Sequence, residues 1–349
     1  MKNFQYSIFV TILCLGIAAF WGYQTGGGVS GIWSAVSITA ILGVMEVSFS
    51  FDNAVVNASI LKEMDAKWRQ IFLTLGILVA VFGLRLLFPI LVVAFATGQG
   101  MIDVSQMAFN HPEIYSEHLH ASHTAIAAFG GSFLLMIFLN FLFDEGKELH
   151  WLGIIEEKLA QLGKIDSISI IFALFVLIGL EMYLPLPIEQ KLTMFLSGVS
   201  GLMLYIIVDS LGSFFETEEE EEAIVKAAKR NGVMGFIYLE LLDASFSFDG
   251  VIGAFAITRD IVVIMLGLAI GAMFIRSLTV YLVNKGTLDE YVFLEHGAHY
   301  AIGSLALIMF YSIYQEVPEL FTGLIGIAFI LIALISSIFY SKKLQSIEG

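Results

Sequence analysis

Charge is scarce in this chain: Asp, Glu, Lys and Arg make up only 14% of its 349 residues. A soluble domain of this size carries about 25%, so most of the sequence has no polar surface to offer water. A single cysteine, Cys14, excludes an intrachain disulfide and a thiolate metal cluster. Basic residues are in deficit, 17 against 32 acids. The resulting net charge of −15 argues against nucleic acid and for attraction of cations, although much of it sits in exposed loops. There is no phosphate-binding P-loop, no Gly-x-Ser-x-Gly and no dinucleotide fingerprint. Glu295-His296-Gly-Ala-His299 has the wrong order and spacing for a His-Glu-x-x-His zinc protease. An enzyme is therefore not expected, nor a prosthetic group. Transport, if it occurs, has to be passive or driven by an ion gradient.

What is abundant is apolar sequence. Hydrophobic residues make up 58% of the chain and the mean hydropathy is +0.86, in runs long enough to cross a bilayer at about 20 residues each. Candidate spans fall at 7–23, 32–61, 71–97, 124–143, 167–184, 192–215, 233–258, 261–284, 299–314 and 320–341. The expected class is all-α, a polytopic integral membrane bundle of about ten spans. The first span resembles a signal peptide, but Phe20-Trp21-Gly22-Tyr23 offers no A-x-A cleavage pattern, so a retained anchor is expected. With the N-terminus inside, thirteen Lys and Arg fall in cytoplasmic segments and only Lys191 and Arg259 outside. That asymmetry favours an even number of spans with both termini cytoplasmic.

Acids inside the apolar runs carry the functional signal. Glu46-Val-Ser-Phe-Ser-Phe-Asp52-Asn53 recurs 197 residues later as Asp243-Ala-Ser-Phe-Ser-Phe-Asp249-Gly250. A carboxylate at the bilayer centre costs about 2.5–3.5 kcal/mol even on a lenient insertion scale, so four in repeated register need a partner, naturally a cation. The two motif helices lie five spans apart and run in opposite directions, which implies an inverted-topology repeat that brings the motifs together near the midplane. The expected divisions are an N-terminal anchor helix over 1–31, a first half over 32–165, connecting helices with an acidic linker over 166–231, and an inverted second half over 232–349.

Glu46, Ser50, Asn53 and Asn57 share one helical face, as do Glu240, Asp243 and Ser247, while Asp52 and Asp249 point about 120° away. In an undistorted helix the Cα atoms of Glu46 and Asp52 are ~9 Å apart along the axis. Two geometries follow: the helices unwind near Ser48–Asn53 and Ser245–Gly250, with Gly250 and Gly253 making the second copy easier to break, or the acids serve successive stations on a path. The predicted metal-binding set is Glu46, Ser50, Asp52, Asn53, Asp243, Ser247 and Asp249. Hard oxygen donors without Cys or His favour Mn²⁺, Mg²⁺ or Ca²⁺ over Zn²⁺ or Cu⁺. The structural alternative is helix stitching by polar side chains. Secondary candidates are Asn57, Glu240, Asp209, Arg85 and Arg276. Each arginine lies in the span after a motif helix, 33 residues beyond Asp52 and 27 beyond Asp249, placed either to pair with motif acids when no ion is bound or to pack helices. Asp209, Asn140 and Asp144 line a cytoplasmic vestibule or simply sit at interfacial helix ends. Glu181 is a proton carrier or a snorkelling acid.

Outside the spans, the loop 98–123 holds His111, His118, His120 and His123, either a solvated loop or a site that captures metal or titrates with external pH. Glu216 to Glu222, interrupted only by Thr217, reads as a solvated linker between the halves, with a cation-concentrating antenna as the alternative.

These motifs, Glu-x-x-x-Ser-x-Asp-Asn and Asp-x-Ser-x-Ser-x-Asp, resemble the signature of the TerC family of bacterial membrane proteins, and the chain is similar to its DUF475-type members. The resemblance spans most of 32–310. It implies a place in a larger superfamily of amino-acid and cation exporters, a multi-pass protein of the bacterial inner membrane, a link to tellurium resistance, and manganese export. Glu46, Asp52, Asn53, Asp243 and Asp249 match the family's intramembrane acids, and Gly250 departs from the pattern where the first copy has Asn53. The expected function is divalent cation transport, Mn²⁺ export in exchange for protons, with the bilayer, the cation and protons as partners. The rivals are an exchanger of Ca²⁺ or another cation and a non-transporting membrane subunit of a tellurite or stress-resistance complex.

Overall fold

The computed structural model describes residues 4–25, 28–62, 64–147, 149–165, 167–214, 232–315 and 317–348, and the acidic run 216–222 lies outside them. The described residues form helices and connecting turns. In chain order these are α1 (Gln5–Thr25), α2 (Val29–Phe49), α3 (Phe51–Leu61), α4 (Ala66–Leu78), a π-helical segment (Val79–Leu87) and α5 (Phe88–Thr97). Next come α6 (Met101–Asn110), α7 (Pro112–Ala121), α8 (His123–Leu142), α9 (Ile154–Ala160), a 3₁₀ turn (Gln161–Lys164), α10 (Ile168–Tyr183) and α11 (Ile188–Phe214). The last are α12 (Gly232–Ile257), α13 (Ile261–Lys285), α14 (Thr287–Glu290), α15 (Leu294–Ser312) and α16 (Glu319–Glu348).

Six of these helices among the described residues are long and apolar enough to cross a membrane, and a seventh span results if 154–164 and 168–183, bent by 105°, count as one. Other predicted spans are helical but interrupted, short or acid-bearing. The 32–61 run breaks at Ser50, where φ is −101° and ψ 18°. α12 is 26 residues long but carries Glu240, Asp243 and Asp249. The protein is a multi-pass helical membrane protein; exposed Phe9, Phe20, Trp33, Phe175 and Phe339 give its helices the apolar outer faces that lipid requires.

The chain divides into two compact units, each drawing on both halves of the sequence. The first comprises 1–122 and 219–285, the second 123–218 and 286–349. In the first unit α2 packs along α13 through small residues, with Gly267 against Leu42 and Gly43 against Ile270. α1 closes on α2 where Gly22 meets the Gly31 carbonyl, and on α13 where the Ser7 hydroxyl donates to the Met273 carbonyl at 3.0 Å. The segment 98–123 is more ordered than the solvated loop expected. It folds into α6 and α7, which bury Val104, Ala108, Tyr115 and Leu119, because apolar residues recur there at helical spacing.

In the second unit α8 packs between α11 and α15. The end of α8 and the following turn hold a polar knot: Lys147 Nζ lies 2.5 Å from Glu156 Oε1, and His296 Nε2 lies 3.5 Å from the same oxygen and 2.9 Å from the Leu149 carbonyl. Burial pushes the Glu156 carboxyl up, but Lys147 and the Leu152 N–H overcome it and hold it below its ordinary value.

Candidate functional site

Both motif copies lie in the first unit, and the structure brings them together. Glu46, near the end of α2, directs Oε2 at Gly250 of α12, where an added Cβ would stand 2.8 Å away. Its aliphatic stem fills the space left by Gly271 of α13, so that a Cβ there would overlap the Glu46 Cβ and Cγ. Glu46 Oε1 accepts from Arg85 Nη2 at 2.5 Å and from the Ser50 hydroxyl at 3.2 Å. On the opposing motif helix, Glu240 accepts from Arg276 Nη2 through both oxygens at 3.0 Å, and Asp243 Oδ2 lies 3.5 Å from the same nitrogen. Arg276 Nη1 donates to the Phe72 carbonyl at 2.8 Å and its guanidinium lies 4.1 Å over the Phe72 ring. Gly76 lies so close to Arg276 and Glu240 that a side chain there would collide with both.

The five charged groups are nearly sealed from solvent: Glu46 is 4% exposed, Arg85 6%, Glu240 5%, Asp243 6% and Arg276 2%. Buried charges at this density persist only when paired, because desolvation outweighs any single weak contact. Each half supplies an acid from its motif helix and an arginine from the next helical stretch. Arg85 also stands within electrostatic reach of Asp243 and Glu240, so the two pairs share one field.

Local sequence explains the π segment that carries Arg85. Pro89, at the start of α5, has no N–H, and its ring crowds the carbonyl four residues earlier, which is that of Arg85 itself. Widening the turn relieves that conflict, and π turns recur at functional positions. Arg276, by contrast, sits in the regular helix α13.

The remaining candidates are placed as follows. Asn53 and Asn57 are buried on α3, and neither amide atom of Asn57 has a hydrogen-bond partner among the described residues. Asp52 lies on α3 and Ser247 and Asp249 on α12, but their side chains are outside the described set. Asp209 is exposed on α11, in the second unit. The first motif breaks at Ser50, within the Ser48–Asn53 stretch expected to unwind, whereas the second runs through Ser245–Gly250 as continuous helix, although its glycines made it the easier copy to break. Close packing resolves this: Gly250 is used for the approach of Glu46 rather than for a bend. Among the described residues no three His, Cys, Asp or Glu side chains are grouped to hold a metal ion, in the His-bearing segment or at the motifs.

Sequence reasoning missed Gly76 and Gly271, which admit the charged side chains, and Glu156 with Lys147 and His296. The asymmetry of the site was there to read. Position 43, which aligns with Glu240 through the 197-residue repeat, is glycine.

The model of the family described as protein of unknown function (DUF475) matches residues 51–344, which include Asp52, Asn53, Arg85, Asp243, Asp249 and Arg276. A similar curated protein is the uncharacterized membrane protein YceF of Bacillus subtilis (strain 168), 31% identical over 156 residues. That alignment covers 42% of this chain and 58% of the relative, so the chain spans less than two thirds of that protein's length. No solved structure matches. Repeated membrane acids, apolar helices and a family match over most of the length agree: the chain is a multi-pass membrane protein of the DUF475 family.

Proposed function

We propose that this protein transports a divalent metal cation across the bacterial inner membrane, exporting Mn²⁺ in exchange for protons, with both termini in the cytoplasm. The observation that carries the reading is the meeting of the two motif copies in one unit, Glu46 of the first against Gly250 of the second, with Asp243 close by in the same buried field. Carboxylates, an amide and hydroxyls are oxygen donors suited to Mn²⁺, Mg²⁺ or Ca²⁺. Glu46, Ser50, Asn53 and Asp243, joined by Asp52, Ser247 and Asp249 of the same motifs, are the proposed ligands. The Asn57 amide, buried without a partner among the described residues, supports a polar path continuing along α3. A buried amide in that condition costs roughly 1–3 kcal/mol, which a purely structural helix would shed by substitution. A carboxylate that releases a cation into low dielectric tends to take up a proton, and this is the simplest coupling to a gradient. Likeness of the motifs to the TerC family favours manganese over calcium.

One observation favours a second reading. Glu46, Glu240 and Asp243 are each engaged by an arginine, as they would be in a static brace, and that suits a non-transporting membrane subunit of a resistance complex. Flux measured ion by ion in sealed vesicles of both orientations separates the two. The transporter moves Mn²⁺ or a related ion directionally; a subunit moves none.

A further inference from the structure

Asn57 is a buried polar side chain that the ion pairs of the first unit leave unserved. It lies on α3, one turn beyond Asn53 and on the same face, and only 1% of it is exposed. Neither Oδ1 nor Nδ2 has a hydrogen-bond partner among the described residues. Every residue of α3 from Asn53 to Leu61 is buried, so the amide reaches neither lipid nor an open surface. Packing does not demand an amide at this register. The 197-residue repeat aligns Asn57 with Ala254, which is buried and apolar.

The register of the helices gives its level in the bundle. α2 and α13 run parallel, since Leu42 and Gly43 lie beside Gly267 and Ile270, and Glu46 beside Gly271. α12 precedes α13 through a short turn and runs the other way. Moving from Glu46 toward the Leu61 end of α3 therefore leads past Asp243 to Glu240, about 10 and 15 Å from Gly250 along α12. Asn57 stands eleven residues beyond Glu46, about 16 Å in the same direction, at the level of Glu240. α3 packs against both α12 and α13 there. Glu240 and Asp243 share the single guanidinium of Arg276, while Arg85 is bound to Glu46, so the field beside Asn57 favours a cation.

The chemistry of the amide selects the form of that cation. Oδ1 accepts and Nδ2 donates, so a bare ion would satisfy the first and be repelled by the protons of the second. Waters satisfy both: those on a divalent ion donate to Oδ1, and a neighbouring water accepts from Nδ2. Small, hard divalent ions give up their waters reluctantly, so an ion on its way to a carboxylate site is helped by a stop where part of its shell is kept.

We propose that Asn57 forms a second station on the transport path, distinct from the motif site, that holds the divalent ion through its water before the motif carboxylates strip it. The proposal rests on the transporter reading. With the sidedness proposed above, the Leu61 end of α3 faces the cytoplasm, and Asn57 is the entry station of an exporter. Glu240 and Asp243 supply the field, Asn57 supplies the hydrogen bonds, and Asp243 is the first motif carboxylate that the departing ion meets.

The test uses the full chain, with Mn²⁺ alone as the probe. The electron paramagnetic resonance signal in detergent gives the Kd, flux in sealed vesicles gives KM and kcat, and thermal unfolding without metal reads the fold. Asn57→Ala adopts the residue of the second copy and is expected to melt within about 2 °C of the native protein. Its Kd is expected to stay within about twofold and its kcat to hold, while KM rises about tenfold, because hydrogen bonds to a charged species are lost on the way in and not at the motif site. An alanine protein that fails to fold, or melts well below the native one, makes the amide a brace. An unchanged KM means that the ion does not stop there. A Kd that weakens in step with KM makes Asn57 a ligand of the motif site and not a separate station. Each of these three results overturns the proposal, and Mn²⁺ transport by the native protein then leaves the transporter reading intact. If the native protein neither binds nor moves any divalent ion tested, that reading and the proposal fall together.

Discussion

Replacing Gly271 with alanine is the sharpest test of how the site is packed. An added Cβ would overlap the Glu46 Cβ and Cγ, and the Gly43 carbonyl stands only 3.2 Å away. The overlap distances are 2.2 and 2.3 Å, so restoring ordinary carbon contacts of about 3.5–4.0 Å requires α2 and α13 to separate, or Glu46 to swing aside, by roughly 1.5 Å. Overpacking of this kind costs about 1–3 kcal/mol. If Glu46 swings away and its pair with Arg85 breaks, the loss rises toward the roughly 3–5 kcal/mol typical of stranding one member of a buried pair. The control is Gly16→Ala on α1, where a Cβ meets nothing within 4 Å. Thermal unfolding in detergent together with Mn²⁺ flux in vesicles reads both effects. Gly271→Ala should lower the melting temperature and abolish flux, and Gly16→Ala should do neither. Native stability and flux in Gly271→Ala would refute the placement of Glu46 between α2, α12 and α13.

Other expectations follow from the same arrangement. Asp52→Asn and Asp249→Asn should eliminate metal transport while leaving expression and membrane insertion unchanged; native flux in either would remove that acid from the mechanism. Glu156→Gln should destabilise by about 3 kcal/mol at neutral pH, because it strands Lys147 in a buried site. The folded Glu156 carboxyl titrates below its unfolded value of about 4.3, so its stabilisation is full above that value and disappears as pH falls through the lower folded one. Melting temperatures of native and Gln proteins should therefore converge only in strong acid, and a gap independent of pH would exclude the ion pair as its source. With Cys14 replaced by Ser, cysteines introduced at Lys67 and Arg259, both exposed, should react with an impermeant thiol reagent from opposite faces of sealed vesicles. Labelling from one face would disprove the inverted repeat.

Much of the architecture was legible because lipid imposes simple demands. Apolar runs marked the helices, and the acids that violated those runs marked the motif helices that pack together in the first unit. Less was legible where packing, rather than composition, decides geometry. The repeat equated Asn53 with Gly250 but could not say that the missing side chain leaves room for Glu46. The break at Ser50 falls inside the Ser48–Asn53 stretch expected to unwind, but Gly250 and Gly253 suggested a broken second helix as well, and α12 runs through both. The spacing from motif to arginine differed by six residues between the halves, 33 against 27, which obscured their equivalence. The connection from α3 to α4 is one residue longer than that from α12 to α13, and most of the remaining difference is that Arg85 falls farther along its helical stretch than Arg276 does along α13. The loop 98–123 was misjudged because its histidines and acids hid the four apolar positions that fold it into two helices.

The central claim is that the two motif copies build one cation site, and a double-substitution cycle on Glu46 and Asp243 tests it most directly. Mn²⁺ affinity is measured for Glu46→Gln, Asp243→Asn and the pair together in the full chain. Two ligands of a common ion lose their contributions jointly, so each single change should abolish most of the binding and the double variant should be little worse than either, a coupling of about 0.5–3 kcal/mol. Strictly additive losses, or single variants that bind Mn²⁺ as the native protein does, would contradict a shared site.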